Sequence, residues 1–325
     1  MGQFFGGTQT LGPGFFGSKT IFGSGPTPLI FTNRGKISTH PIVSLASDTS
    51  GNTLALDSAG TAFLSVDGGH TFSTQGSIGT TLPTFAPSDF YTHAGTWIVA
   101  ALRSWRSTNL GVTWTQINYI PNPNTSALGT DFAGNWVAIA NATPANTGFS
   151  TNDGVSWTIN GSTFGTGAFP PANIIWDGSQ WICPGINAVT GQFFTSPDAI
   201  TWTIQPLLTQ TATIPDQIYF IGGVYYTADF NSAHVWQSST FAGLLTPNLI
   251  AVPVDASGIQ FILKGGVNWI ALDFLGGVAS STNFTTWLAG TLNLATGENS
   301  FSCAYDSTHN SIIVGGNQGS ITTYP

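Results

Sequence analysis

The chain has 325 residues, only 6% of them charged, and its formal net charge at neutral pH is −8. Ordinary soluble domains contain about 25% charged residues, so solubility must come from Ser, Thr, Asn and Gln. Nucleic acids and anionic membranes are bound by clustered Lys or Arg. The six basic residues are spread along this chain, so we expect neither nucleic-acid binding nor membrane insertion.

Residues 1–26 form a first segment, in which aromatic residues are spaced by glycines, as in GQFFGG and GPGFFG. Two interpretations remain open, a flexible tail and an anchor that docks on a neighbouring subunit. The anchor is suggested by the cost of leaving phenylalanines in water, about 1.5–3 kcal/mol each. The segment lacks the charged and apolar regions of a secretory signal. The candidate anchor residues are Phe4, Phe5, Phe15, Phe16 and Phe22.

From residue 27 onward the chain is a repeat array. The phrase STNDGVSW, at 150–157, returns in four other places, and a sixth copy near residue 245 has decayed to QSSTFAGLLTP. The four other copies lie at 65–72, 107–114, 195–202 and 281–287. An apolar run that follows a small turn, as in NWVAIA, occurs seven times. Another short apolar segment precedes each of these runs in the chain. Every period of roughly 43 residues therefore contains four possible strands, which is typical of a propeller blade.

This pattern predicts an all-β fold, a seven-bladed β-propeller over residues 27–325 with four-stranded blades and an N-terminal extension. Strong helix formers are scarce, since the chain has one Glu and one Met, while Thr, Val, Ile and aromatic residues fill the strand positions. The seventh unit reaches Pro325 with three strands. We expect an N-terminal strand, at about 28–33 or alternatively at 35–39, to complete it and close the ring.

The repeated phrase resembles the Asp-box (BNR) repeat, Ser/Thr-x-Asp-x-Gly-x-Thr-Trp/Phe. The copy at 65–72 matches throughout, and those at 107–114 and 150–157 have Asn for Asp. Counted from the first Ser, the copies at 196–202 and 281–287 are one residue shorter. In that family the boxes are structural turns of β-propellers in sialidases, sorting receptors, bacterial surface proteins and phage tail proteins. The residues that we assign to such turns are Asp67, Gly69, Phe72, Asn109, Gly111, Trp114, Asn152, Gly154, Trp157, Asp198, Trp202 and Trp287.

The candidate binding site is the face that carries the loops between second and third strands and between blades. These loops are polar, aromatic and poor in charge, which suits sugar hydroxyls and apolar sugar faces. The acids in them have a second interpretation, as turn-forming residues. No metal-ligand spacing and no cofactor motif is present. The candidate ligand-binding residues are Asp57, Arg103, Tyr119, Phe164, Asp229, Phe230 and Asp273.

Catalysis is the competing hypothesis for the same face. A sialidase-like site needs an arginine triad and a Tyr nucleophile with its Glu, but Arg34, Arg103 and Arg106 do not form a triad and Glu298 is the lone Glu. A pair of Asp carboxylates would also serve a glycosidase, although no pair stands out. We therefore predict no catalytic residue. Cys183 and Cys303 lie in different units and are expected to be separate buried thiols.

From these features we expect a non-enzymatic structural or receptor-binding component of a virion, a phage tail or fibre protein. It would bind other virion proteins through its N-terminal segment and a host surface glycan through its loop face. The alternatives are a glycan-cleaving, sialidase-like hydrolase and a secreted bacterial lectin or adhesin. The expected location is the virion, after synthesis in the host cytoplasm, with an extracellular location as the alternative.

Overall fold

The computed structural model describes most of the chain after the N-terminal segment. The described ranges are 28–82, 89–100, 104–117, 125–140, 146–160, 168–169, 173–187, 190–209, 213–229, 232–254, 258–273 and 275–325. The predicted anchor phenylalanines lie outside them. The described residues form seven antiparallel sheets, each a blade. The prediction of an all-β, seven-bladed propeller with four-stranded blades is confirmed.

The blades follow one another along the chain. Strand β1 (Thr32–Lys36) comes first. Blades 1 to 3 contain β2 (Ile42–Ser47), β3 (Thr53–Asp57), β4 (Thr61–Ser65), β5 (Ser73–Ser77), β6 (Asp89–His93), β7 (Thr96–Ala100), β8 (Ser104–Ser107), β9 (Thr115–Ile117), β10 (Thr125–Thr130), β11 (Trp136–Ala140), β12 (Thr147–Ser150) and β13 (Thr158–Asn160). Blade 4 contains β14 (Ala168–Phe169), β15 (Ile175–Trp176), β16 (Trp181–Asn187), β17 (Thr190–Ser196) and β18 (Thr203–Ile204). Its inner strand is in two pieces, because β14 and β15 both pair with β16.

The remaining three blades have the same order. Blade 5 contains β19 (Pro215–Ile221), β20 (Val224–Asp229), β21 (His234–Ser238), helix α1 (Phe241–Leu244) and β22 (Ile250–Ala251). Blade 6 contains β23 (Ile259–Gly265), β24 (Asn268–Asp273), β25 (Val278–Ser281) and β26 (Leu288–Ala289). Blade 7 contains β27 (Ser300–Asp306), β28 (Ser311–Gly316) and β29 (Ser320–Tyr324), and β1 is its fourth strand. With four residues, α1 is far too short to cross a bilayer, and it is the longest helix within the described ranges.

The core lies between the blades. The first strands of neighbouring blades contact one another around the ring, as β2 does with β27 and β6. Second strands such as β3 and β28 are buried along their whole length, since each has a blade on either side. This double burial explains why they appear in the sequence as continuous apolar runs instead of alternating patterns. Outer strands such as β5 are largely exposed.

The ring is closed by the N-terminal strand, as predicted, but slightly later in the chain than expected. Strand β1 pairs with β29, so it shares residues 32 and 33 with the segment 28–33 and residues 35 and 36 with the alternative segment 35–39. The earlier part of that segment joins blade 6 instead, because the Phe31 N–H donates to the Thr291 carbonyl (2.9 Å) and the Thr291 N–H donates to the Leu29 carbonyl (2.9 Å). The segment from residue 28 to 36 therefore connects the outer edges of blades 6 and 7.

The repeated phrase folds as a tight turn between third and fourth strands, which we call the recurrent turn. In blade 1 the Ser65 hydroxyl accepts from the Gly69 N–H (2.9 Å), and Asp67 accepts from the Thr71 N–H (2.9 Å) and hydroxyl (2.6 Å). In blade 2 the Asn109 oxygen accepts from the Thr113 N–H (3.0 Å), while its amide nitrogen donates to the Thr113 hydroxyl (2.8 Å). Asn can take the place of Asp because in both residues one side-chain oxygen accepts from the backbone N–H. Only the hydrogen bond with the Thr hydroxyl is reversed in direction.

The shorter copies have one residue in left-handed conformation, whereas the longer copies have two. Gly68 and Gly69 both have positive φ (70° and 85°), whereas the copies in blades 4 and 6 have only Ala199 (61°) and Phe284 (65°). In the decayed copy of blade 5, helix α1 replaces the turn, and its Leu244 is fully buried. All six connections between third and fourth strands thus bring a side chain or a glycine against the preceding blade. The hydrogen bonds that hold these connections differ from blade to blade.

We expect Asp67→Ala to lower the free energy of unfolding by about 1 kcal/mol, because it removes the acceptor for Thr71. Asp67→Asn should change it by less than about 0.5 kcal/mol, since Asn109 and Asn152 build the same turn in blades 2 and 3. Urea titration followed by tryptophan fluorescence measures both. If both variants lose the same free energy of unfolding, the role of Asp67 is not only to accept the hydrogen bond from Thr71.

Wild type and Asp67→Asn should differ in the way their free energy of unfolding depends on acid pH. Burial raises the pKa of Asp67, but hydrogen bonds from Thr71, Ser65 and His70 together lower it below its usual value. A lowered pKa in the folded state means that the charged carboxylate contributes stability above about pH 4, which is lost as the pH falls through the lowered value. The Asn variant should lack this part of the acid dependence.

Candidate functional site

Three of the candidate ligand-binding acids occupy the same position in different blades. Asp57, Asp229 and Asp273 are the last residues of second strands, in blades 1, 5 and 6, at the face that carries the loops to the third strands. All three are at most 3% exposed. Such burial requires hydrogen-bond partners for a charged carboxylate.

Those partners belong to the turn that follows each acid and, for Asp57 and Asp229, also to the connection that precedes the blade. Asp57 accepts from the Thr61 N–H (2.8 Å) and the Ser38 hydroxyl (2.7 Å). Asp229 accepts from the Ile214 N–H (3.1 Å) and the Ser232 hydroxyl (2.6 Å), and Asp273 from the Gly277 N–H (2.6 Å). The geometry is that of turn-forming carboxylates. A ligand role for these acids stays a prediction, and the other candidates, Arg103, Tyr119, Phe164 and Phe230, lie outside the described residues.

The residues considered for catalysis also have structural partners. Glu298 accepts from the N–H groups of Ala295 (3.1 Å) and Ser320 (3.3 Å) and from the Ser320 hydroxyl. Arg34 donates to the Thr323 hydroxyl (2.8 Å) in blade 7, and Arg106 donates to the Asp153 carbonyl (2.8 Å) between blades 2 and 3. The two arginines thus lie in different parts of the ring and do not converge on a ligand.

The two cysteines are separate and buried. Cys183 lies in β16 of blade 4 and Cys303 in β27 of blade 7, and burial raises the pKa of both thiols. A buried thiol with a raised pKa is a poor nucleophile. Among the described residues, no group of three or more His, Cys, Asp or Glu side chains could hold a metal ion.

The opposite face carries a feature that sequence reasoning missed, at the end of the first strands. We call it the inner rim. It consists of the residue in each first strand that pairs with the first or second residue of the second strand, at the position opposite Leu54, Trp97, Trp136, Trp181, Tyr225, Trp269 or Ile312. In blades 1 to 3 this residue is small and buried, as for Thr92 and Thr130. In blades 4 to 7 it is large and half-buried. These four residues are Trp176, Phe220, Lys264 and Tyr305.

Lys264 is the charged member of the inner rim. Its ammonium lies 5.2 Å from the centroid of the Trp269 ring. The Trp269 ring in turn contacts Tyr226 of blade 5, with 4.2 Å between the ring centroids. In blade 7, the Tyr305 hydroxyl donates to the side-chain oxygen of Asn310 (2.9 Å). The ammonium group therefore lies over an indole ring that itself packs against blade 5, and burial lowers the pKa of Lys264.

Comparison with known proteins agrees with the fold. No family model matches the chain. No curated protein matches it either. Among solved structures, YCF48 from Cyanidioschyzon merolae is similar, with a TM-score of 0.67 and 14% identity over 91% of this chain and 98% of that one. YCF48 bound to D1 peptide is also similar, with a TM-score of 0.68 and 14% identity over 92% and 96% of the two chains.

The chain is a seven-bladed β-propeller. At 14% identity the likeness to YCF48 shows the fold alone. It nevertheless corrects the functional expectation. The assignment to a phage tail or fibre, with virion proteins and a host glycan as partners, is contradicted, because the similar structures are of YCF48 and one has D1 peptide bound. Fold, repeats and low charge are shared by many propellers, so they did not specify a virion. The predicted location depended on that assignment and stays a prediction.

Proposed function

We propose that this protein is a non-catalytic β-propeller that binds a peptide segment of another protein. The observation that carries the proposal is the likeness, over 92% of the chain, to YCF48 bound to D1 peptide. A closed ring of blades supplies a rigid scaffold, and its two faces display turns whose side chains differ from blade to blade. A short segment of a partner can therefore be recognised without any change in the ring.

The absence of catalysis is part of the proposal, and the engaged carboxylates support it. Asp57, Asp229, Asp273 and Glu298 all accept hydrogen bonds from nearby backbone or hydroxyl groups. A hydrolase needs one carboxylic acid and one carboxylate that both face the substrate. Buried acids that complete turns do not meet that requirement.

We also infer that the five recurrent turns are Asp-box repeats with a structural role. Support comes from the shared hydrogen bond between the first Ser hydroxyl and the backbone, at 2.9 Å for Ser65, 3.1 Å for Ser107 and 3.0 Å for Ser150. The closing tryptophan of the turn donates back to it, as Trp157 does to the Gly154 carbonyl (3.0 Å). Both bonds are internal to the turn, which is why they stabilise it without a ligand.

The test uses the full chain, immobilised and exposed to a random library of synthetic dodecapeptides. We expect a reproducible subset of peptides to be retained by the folded protein, lost after unfolding in urea, and recovered with unchanged mass. If no peptide is retained, the binding proposal is wrong. If peptides or polysaccharides are cleaved, and Asp57→Asn or Asp273→Asn abolishes the cleavage, the protein is an enzyme.

A further inference from the structure

Lys264 of the inner rim is a half-buried ammonium group without an anionic partner. Within the described residues it makes no hydrogen bond, and the ion pairs involve only His40, His93 and His309. The Trp269 ring offers a cation–π contact, which is weaker than the hydrogen bonds that three ammonium donors make in water. Burial therefore disfavours the charged form of Lys264, and no anionic group among the described residues offsets this.

No acid of the same rim is free to approach Lys264. Asp306, at the end of the neighbouring first strand, accepts from His309 (2.7 Å) and from the Thr308 N–H (2.9 Å). It is fully buried. The described residues thus supply no anionic partner for the lysine.

The surroundings of Lys264 indicate the chemistry of that partner. The Tyr226 hydroxyl, on the same Trp269 ring, has no hydrogen-bond partner among the described residues and is a second donor for an anion. Val267 lies in the turn that follows Lys264 and is 73% exposed. A ligand with an anionic group next to an apolar group would match the chemistry of these three side chains.

We propose that Lys264, Trp269, Tyr226 and Val267 bind an Asp or Glu side chain of a partner peptide, with an apolar residue of the peptide against Val267. This inference rests on the proposed function and specifies its site. A carboxylate accepts from the ammonium and the Tyr226 hydroxyl, which restores the hydrogen bonds that burial removed. The apolar neighbour covers Val267 and excludes water from the ion pair.

The net charge of −8 does not oppose this contact strongly. At physiological ionic strength, interactions between exposed charges are screened over about 8 Å. A hydrogen-bonded ion pair in a partly buried site acts at contact distance and is screened much less. Net charge therefore slows the approach of an acidic peptide more than it weakens the bound state.

The experiment compares two pools of synthetic octapeptides with the same apolar positions, one with Asp or Glu in the middle and the other with Asn or Gln. Each pool is passed over the immobilised full chain at physiological ionic strength. We expect wild type to retain the acidic pool about tenfold more strongly, as one charge-assisted hydrogen bond provides. Lys264→Gln should lose this preference. Lys36→Gln, which removes an exposed lysine from strand β1, should keep it.

The outcomes separate this inference from the proposed function. If wild type retains both pools equally, or if Lys264→Gln keeps the preference, the Lys264 site is wrong while peptide binding stands. If wild type retains neither pool, both proposals are contradicted. The thermal midpoint of Lys264→Gln should equal or exceed that of wild type. A lower midpoint would mean that Lys264 stabilises the fold, and would overturn the inference.

Discussion

Phe31→Ala is expected to lower the free energy of unfolding by about 3–5 kcal/mol, the usual loss for a fully buried phenylalanine. Phe31 is 0% exposed and lies 5.7 Å, between ring centroids, from Tyr324 near the other end of the chain. It belongs to a cluster with Leu292 of blade 6 and Val314 of blade 7. Removing it opens a cavity where the N-terminal segment joins the two blades. Urea titration with tryptophan fluorescence is the measurement.

Ile30→Ala is the matched control for the closing segment. Ile30 is adjacent in sequence but 63% exposed, so its truncation should change the free energy of unfolding by less than about 0.5 kcal/mol. If both variants lose the same amount, general disturbance of the segment, and not the burial of Phe31, explains the effect. If neither loses stability, closure by this segment does not stabilise the ring.

Gly76→Ala is expected to lower the free energy of unfolding by about 1–3 kcal/mol, as overpacking usually does. Gly76 lies in outer strand β5, and its N–H donates to the Gly111 carbonyl (3.1 Å) in the recurrent turn of blade 2. A Cβ on Gly76 would lie 2.2 Å from the Val112 carbonyl oxygen. Because both groups are backbone, one of the blades has to move.

The sign of the change in the free energy of unfolding of Gly76→Ala shows whether the two blades are in contact. Replacing a strand glycine by alanine normally stabilises a protein by about 0.4–1 kcal/mol when the space is free, because the unfolded chain loses entropy. A loss therefore reports the contact between blades. Thr74→Ala, at an exposed position of the same strand, is the control and should change the free energy of unfolding by less than about 0.5 kcal/mol. Increased stability in Gly76→Ala would show that the two blades are not in contact there.

The position of the closing strand shows where sequence patterns mislead. The apolar pattern of PLIFTN suggested a strand at 28–33, but β1 is the polar segment TNRGK, at 32–36. Outer strands have solvent on most of their surface, as in β1 and β5, so hydrophobicity does not mark them. Leu29 and Phe31 are apolar because they fill the space at the edges of blades 6 and 7.

The recurrent turns were predictable because their bonds are local. Ser65, Asp67 and Gly69 bond within five residues of one another, so the eight-letter phrase contains the whole structure. The inner rim was not predictable in the same way. The equivalence of Trp176, Phe220, Lys264 and Tyr305 appears only when the strand registers of four blades are compared.

The sequence by itself determined the all-β class, the seven blades and the turns between third and fourth strands, because a repeat of roughly 43 residues encodes each blade in local patterns. Only the tertiary structure decided which charges have partners. Asp229 accepts from the Ile214 N–H of the preceding connection, whereas Lys264 lies over Trp269, whose ring contacts Tyr226 of another blade. Burial and pairing depend on side chains that come from other repeats, and the sequence of a single repeat contains no information about the blades that pack against it.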